Sequence, residues 1–322
     1  MQIPNLDFLL EQLKRKGIFI SAKTIKKHQY QGWMSIVFTA DSNIGPLIIH
    51  LVRLVEEHKR NKVWEKFSGL AKIFAHNPEV PTARILYAGI IEDTFALVQN
   101  YLTGVPAGKR ILEKNVISDV WQANKNITVQ KILYALTKIH KMQLKGFGWP
   151  VLANDSLAGP HKTWKMFFKK EVPRWTGVIL ETDRKLSEKS EVQNLEPLAQ
   201  KIVAQIDYNG PAALIHGDAI NPNNVLINND NKIFLLDWEW SICGDPAWEF
   251  CDLGWWNLSD RKNLSAYFKA LGVKDASEQE YFLRRIRLYI PLWLLWGTQM
   301  HAHDSDLSVY LALRKLLRLV EV

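Results

Sequence analysis

Leu6, Leu9, Leu10 and Leu13 recur at helical spacing behind Asn5, a capping residue, and Gly17 supplies a stop. The rhythm then changes. Short apolar runs, Ser35 to Thr39 and Pro46 to Leu54, flank the turn residues Asp41, Ser42 and Asn43, which predicts a hairpin or small antiparallel sheet. From Asn61 to Ala75 the residues Val63, Trp64, Phe67, Leu70, Ala71 and Phe74 return to one helical face. Ile85 to Ala88 and Thr94 to Gln99 predict two more strands. The first 100 residues therefore read as a sheet with one main internal helix.

After Gly104-Val105-Pro106 helical spacing dominates. Thr128 to Lys141 predicts a helix with Val129, Ile132, Leu133, Leu136 and Ile139 in phase. Asp183 to Val192 is highly charged and reads as a solvated helix or loop, and Ile202 to Ile206 as a helix end. Leu214 to Asp237 reads strand, loop, strand, turn, strand, while Tyr281 to Trp296 and Leu307 to Val320 return to helix. No internal repeat or low-complexity tract interrupts the pattern. The expected architecture is α+β and bilobal: a small β-rich N-terminal lobe, residues 1–100, and a larger, mostly helical lobe, residues 101–322.

Composition narrows the function classes. The 322 residues are 47% apolar and 23% charged, the balance of a soluble globular protein. A net charge of +8 suits an anionic ligand, but the basic residues are scattered (Lys14-Arg15-Lys16, Lys26-Lys27, Lys169-Lys170, Arg284-Arg285) and form no stripe, so nucleic acid is not expected as a partner. Two cysteines, Cys243 and Cys251, argue against a disulfide scaffold and a four-thiolate zinc site. Asp7 and Glu11 interrupt the first apolar stretch, so it does not read as a secretory signal. The most apolar window, Leu288 to Trp296, is broken by Pro291 and is far short of the ~20 residues a membrane span needs. A reducing cytoplasm is the expected compartment, and the oligomeric state is left open. His301 and His303, near Asp304 and Asp306, are two apart, share no helix face and read as a solvated loop.

One segment carries chemistry. Leu214-Ile215-His216-Gly217-Asp218 and Phe234-Leu235-Leu236-Asp237 are apolar strands that each end in a carboxylate, with Asn221, Asn223 and Asn224 between. A core needs no carboxylate at both strand ends. Phosphoryl transfer does: one carboxylate orients the attacking hydroxyl, and a second, with an amide oxygen, holds Mg²⁺ on the nucleotide phosphates.

The string His216-Gly217-Asp218, Asn-Val-Leu-Ile, Leu-Leu-Asp237-Trp238-Glu239 and Gly244-Asp245-Pro246 resembles the aminoglycoside phosphotransferase and choline kinase family, which has a protein-kinase-like fold. Gly217 stands where protein kinases carry the Arg of His-Arg-Asp, and Trp238-Glu239 replaces Phe-Gly. The resemblance implies Asp218 as catalytic base and Asp237 as a Mg²⁺ ligand. Family spacing from the first Asp selects Asn223 as the second ligand, whereas the Asn-Val-Leu run and the distance to the second Asp select Asn224. Gly32 and Ser35 lie where the family has its phosphate loop. No lysine is present on the strand that should contact the phosphates: counting points to His50, charge to Arg53, with Glu65 as the helix partner. Backbone groups near Gln99 and Tyr101 match the strand that reads the adenine. The implied activity is an ATP- and Mg²⁺-dependent kinase (GTP an alternative) of a small-molecule hydroxyl such as a sugar, amino alcohol or aminoglycoside. The missing lysine motivates a second reading, a catalytically silent nucleotide or metabolite binding module.

The acceptor is less legible. From Ser241 to Val322 there are 10 acidic and 10 basic residues, a balance that disfavours a polycationic acceptor. Trp255, Trp256, Trp293 and Trp296 could stack on a sugar or cage a quaternary ammonium, though core packing is the commoner use of such residues. His140 and His216 read as core imidazoles, Asp245 as a turn-closing residue, and Glu249 and Asp252 as helix-start or ion-pairing residues.

Overall fold

Leu6–Arg15 forms helix α1, which buries Leu9 and Leu13. Gly17 ends it at φ +77°, and the Ile18 N–H closes back on the Leu13 carbonyl at 2.9 Å. The apolar face of α1 packs on an antiparallel sheet built from β1 (Lys26–Lys27), β2 (Ile36–Ser42), β3 (Gly45–Arg53), β4 (Ile85–Ile91) and β5 (Thr94–Asn100), in the order β1-β2-β3-β5-β4. Strand alternation sends Phe38, Ala40, Leu47, Ile49, Leu51, Ala96 and Val98 to the α1 side. Helix α2 (Glu57–His76) supplies Phe67, whose ring lies 5.5 Å from that of Phe95, one step out of phase with that set. The β2–β3 turn falls at Asn43–Ile44, two residues later than the sequence suggests. Asp41 and Ser42 stay paired with Pro46 and Gly45, because Gly45 at φ +105° and the Ser42 hydroxyl donating to its carbonyl at 2.6 Å tighten the reversal.

The structure is a computed structural model and describes residues 6–28, 35–53, 56–113, 116–182, 194–252, 255, 258 and 260–300. The Asn5 cap, the charged segment 183–192 and the helix expected over Leu307 to Val320, with His301 and His303, lie outside the described residues. The chain divides into two units, one of residues 1–105, 150–158 and 226–236 and one of residues 106–149, 159–225 and 237–322. The division is therefore not a single cut near residue 100. In the first unit, Leu157 is tucked against Gly69 of α2, Lys72 pairs with Asp155 at 2.8 Å, and Thr82 donates to the Leu235 carbonyl at 2.9 Å.

The second unit is mostly helical. It opens with a hairpin the sequence did not announce, β6 (Gly108–Glu113) and β7 (Val116–Trp121), with Arg110 directly opposite Asp119. Helix α3 (Lys125–His140) starts at Asn124, whose side chain accepts from the Ile127 N–H, and buries the in-phase apolar residues. Helices α4 (Trp164–Thr182) and α5 (Leu195–Ala204) follow, then strand β8 (Ala212–Ile215), paired with β9 (Ile242–Gly244). Helices α6 (Ser265–Leu271) and α7 (Ala276–Met300) complete it. Trp164, Phe167, Phe168 and Trp175 of α4 are fully buried and meet Trp248 and Tyr289, an aromatic core that fixes the frame behind the loop after β8. Each such ring contributes roughly 2–3 kcal/mol by leaving water.

Candidate active site

The β8 strand delivers the chain into a turn it could not make with an ordinary residue. Gly217 sits at φ +86°, and a Cβ there would lie 2.6 Å from the Trp240 carbonyl oxygen. The loop is tied down from below by Glu249, a fully buried carboxylate that accepts from the N–H groups of His216 (2.7 Å), Gly217 (3.2 Å) and Ala219 (3.4 Å). Burial alone would raise the Glu249 carboxyl. The adjacent His140 imidazole, His216 and the Gly217 N–H outweigh it and hold the carboxyl below its usual range. His140 is itself held by the Tyr267 hydroxyl at 2.7 Å. His216 lies against Trp238, ring centres 4.5 Å apart, and accepts from the Asp218 N–H at 3.3 Å. Both histidines therefore brace the loop.

Asp218 stands at the top of this support with 18% of its side chain exposed. Arg110 of β6 donates to Oδ1 at 3.2 Å; Asn221 and Asn224 donate to Oδ2 at 3.0 and 2.8 Å. The same guanidinium is bidentate to Asp252 (3.1 and 2.9 Å) and to Asp119 (2.8 and 3.2 Å), so all five of its N–H groups are used. Burial and the neighbouring Asp252 push the Asp218 carboxyl up to about 8, against the pull of Arg110 and Asn221.

The two asparagines the sequence left open are separated. Asn224 is buried, and its amide N–H₂ points at Asp218, which leaves its carbonyl oxygen for a cation. Asn223 is exposed, with its backbone N–H on the Asn221 side chain. Asp237 is exposed, in the left-handed conformation at φ +62°, and close enough for its charge to act on Asp218. A carboxylate and an amide oxygen are hard ligands that fit Mg²⁺, which draws the rest of its shell from water and phosphate. Among the described residues no three His, Cys, Asp or Glu side chains form a metal cage.

The first unit holds the remaining candidates. Gly32 lies outside the described residues, as does the side chain of Arg53, which ends β3 opposite Thr94. Ser35 is half-buried just before β2. Glu65 is half-buried on α2, and among the described residues no ion pair joins it to His50. Tyr101 already donates its N–H to the Pro46 carbonyl at 2.9 Å, so that donor is spent within the sheet. Gln99 lies in β5 opposite Ile48.

His50 does not supply the strand's missing charge. Burial and the nearby His28 lower it to about 4, so it is neutral at pH 7. The unfolded chain binds this proton near its ordinary value of 6.5, so His50 favours the folded state fully above that pH. The contribution is lost as pH falls from 6.5 towards 4. The melting temperature should therefore drop across that window, and His50→Gln should flatten the drop. An unchanged slope would count against a neutral His50.

Register instead brings Lys26, His28 and Thr39, which the sequence reading did not place in the site, beside the candidates His50 and Gln99. Lys26, Thr39, Ile48 and Gln99 form one row across the sheet, and His28, Val37, His50 and Leu97 the following row on the same face. Lys26, Lys27, His28, Thr39 and Tyr101 line a pocket of ≈ 480 Å³ in this unit, with the His28 and Tyr101 rings 6.2 Å apart. The paired lysines were the available signal. Arg110 and Asp119 were hidden because Arg110 meets Asp218 only through the fold, whereas Asp252, read as a helix-start or ion-pairing residue, does pair with Arg110.

Residues 52–282 match the profile of the phosphotransferase enzyme family. No curated protein matches the chain. Among solved structures, the chain is similar to a Haemophilus somnus 129PT protein assigned as a fructosamine-3-kinase, with 14% identity, 98% of this chain and 99% of that one covered, and a TM-score of 0.64. It is also similar to a thermostable mutant of aminoglycoside phosphotransferase APH(4)-Ia in ternary complex with AMP-PNP and hygromycin B (16% identity, 97% of each chain, TM-score 0.60). A third is spectinomycin phosphotransferase APH(9)-Ia with ADP and spectinomycin (13% identity, 98% of this chain and 97% of that one, TM-score 0.54). At such identities the likeness is one of fold: a β-rich part followed by a helical part, as in the phosphotransferases and kinases of this type. Among the described residues no helix is long and apolar enough to cross a membrane.

Proposed function

The chain belongs to the phosphotransferase enzyme family, and from that premise we propose that it is a small-molecule kinase that transfers the γ-phosphoryl group of ATP to an acceptor hydroxyl, with Asp218 as base. The observation that carries this reading is the seating of Asp218: one oxygen held by Arg110, the other by Asn221 and Asn224, on a loop anchored through three N–H groups by Glu249. A carboxylate so fixed loses little freedom when it meets a hydroxyl.

Asp218 orients the acceptor hydroxyl and takes its proton. The hydroxyl oxygen bonds to the γ-phosphorus while the bond from that phosphorus to the β–γ bridging oxygen breaks, and ADP leaves with the bridging oxygen. Asp237 and the Asn224 carbonyl oxygen would hold Mg²⁺, with Asn223 left as a loop residue. The bound ion supplies neutralising charge to the phosphates. Residues 1–100 contribute the nucleotide side of the reading, through Gly32, Ser35, Gln99 and Tyr101 and the pocket lined by Lys26 and His28. Lys26 is a source of positive charge on the His50 face of the sheet that β3 itself lacks. The AMP-PNP in one structurally similar protein supports a nucleoside triphosphate as donor, with GTP the alternative.

Thermal unfolding with Mg²⁺·ATP and Mg²⁺·GTP tests this. At about 100 times its Kd a ligand adds about 2.7 kcal/mol to stability, a rise of several degrees for a chain of this size. The rise should require Mg²⁺ and disappear in Asp237→Asn. No rise with either nucleotide would contradict the reading.

A further inference from the structure

Arg110 reaches Asp218 already held from two sides. Its Nε and Nη2 take both oxygens of Asp119, directly opposite on the β6–β7 hairpin, at 2.8 and 3.2 Å. Its Nη1 and Nη2 take both oxygens of Asp252 at 3.1 and 2.9 Å. Two bidentate carboxylates fix the plane of a guanidinium and its rotation within that plane. One N–H remains, on Nη1, and it donates to Oδ1 of Asp218 at 3.2 Å. The direction of that donor is set by Asp119 and Asp252 rather than by Asp218.

The holders are themselves placed by the frame. Asp119 is fixed by the register of the hairpin, and its side chain is 14% exposed. Asp252 is buried, and its carbonyl accepts from the Trp255 N–H at 2.9 Å. Trp255 is fully buried against Phe250, ring centres 5.0 Å apart, so it belongs to the core; Trp256 beside it lies outside the described residues. Trp296 is also buried, packed on Trp293 at 6.1 Å.

Asp218 is thus pinned at Oδ1 by a guanidinium with one orientation and at Oδ2 by Asn221 and Asn224. Among the described residues Oδ1 accepts a single N–H, which leaves it a lone pair for a hydroxyl. Asp252 is close enough for its charge to act on Asp218. Without Arg110 the two carboxylates would face each other with no cation between them, and repulsion would turn Asp218 off its seat.

We propose that Arg110 is a positioning residue for the phosphoryl transfer: locked by Asp119 and Asp252, it holds Asp218 in the orientation that meets the acceptor hydroxyl. The inference rests on the phosphotransferase reading and adds to it a residue that takes no proton and acts through Asp218 alone.

The test is a double-mutant cycle on the full chain. Label transferred from γ-³²P-labelled Mg²⁺·ATP to a deproteinised extract of cellular small molecules gives the rate, and thermal unfolding gives the stability. Arg110→Ala should lower the rate at saturating ATP roughly 100-fold, the cost of a misplaced reacting group, with the half-saturating ATP concentration little changed. Made in Asp218→Asn, the same substitution should lower the residual rate by no more than about 2-fold, because residues that act as a unit are not additive. The melting temperature should fall in both backgrounds, so stability and rate part company only in Asp218→Asn. Arg110→Lys keeps the charge without the two forks and should stay about 10-fold slow or slower; it decides the matter should Arg110→Ala not fold. The same fold-loss of rate with and without Asp218 would overturn the proposal, as would Arg110→Lys at the rate of the unaltered protein. No label transfer by the unaltered protein would instead bring down the phosphotransferase reading, and the proposal with it.

Discussion

Asp218→Asn is expected to lower acceptor-dependent turnover by about 10²–10⁴-fold, the range for loss of a positioned proton acceptor, while Mg²⁺·ATP affinity changes little. The amide keeps the size of the side chain and a carbonyl oxygen to accept from Arg110 or the asparagines, so the loop stays seated on Glu249. What it loses is the capacity to take a proton. The pH dependence follows from the same proton acceptor. With its carboxyl pushed up to about 8, Asp218 is mostly protonated at lower pH and cannot act as a base there. The wild-type kcat/KM should therefore climb with pH through about 8, and the residual rate of the variant should lack that rise. Equal loss of turnover and nucleotide affinity would remove Asp218 from the role of base.

Arg285→Ala is expected to cost about 3–5 kcal/mol of stability, as removal of one partner from a buried ion pair does, and to lower the melting temperature by on the order of 10 °C. Asp245 is fully buried before the turn Pro246–Cys251 and is satisfied from three sides. Arg285 of α7 donates at 2.6 and 3.3 Å, the Tyr289 hydroxyl at 2.8 Å, and the Ala247 N–H at 3.0 Å. The guanidinium also lies 4.2 Å from the centre of the Tyr281 ring. Without Arg285 a carboxylate remains in the interior short of its charge partner. The consequence reaches the site, because the turn that Asp245 opens carries Glu249 and so the anchor of the Asp218 loop. Chemical denaturation of Arg285→Ala beside Arg285→Lys measures the effect; a loss below about 1 kcal/mol would mean the pair is solvated and contributes little.

Much of the fold was legible because period and punctuation agree: strands β2 to β5 and helices α1 to α3 follow alternation, helical spacing and capping residues. The prolines did not hide the helices: the reading of Tyr281 to Trp296 as helix already passes through Pro291. Pro291 breaks the most apolar window, yet α7 runs through it from Ala276 to Met300, as α4 runs through Pro173. In each case the residue four positions earlier, Arg287 or Lys169, whose carbonyl loses its helical donor to the proline, is exposed.

The strand-end carboxylates were legible for the opposite reason. Asp218 and Asp237 stand out because nothing in a core calls for them. The Asn-Val-Leu run and the distance to Asp237 already lean to Asn224 over Asn223, and to this the structure adds burial, which spacing does not report. Arg110 was out of reach: it meets Asp218 across 108 positions and Asp252 across 142. The electrostatics at β3 were equally hidden, since His50 is neutral only because of what surrounds it.

The most direct test of the account is ³¹P NMR of Mg²⁺·ATP incubated with the protein and a deproteinised extract of cellular small molecules. A new phosphomonoester resonance is expected that grows as ADP appears and is absent with Asp218→Asn. Unchanged ATP, from protein whose melting temperature Mg²⁺·ATP raises, would contradict it and point to a binding module that does not transfer phosphate.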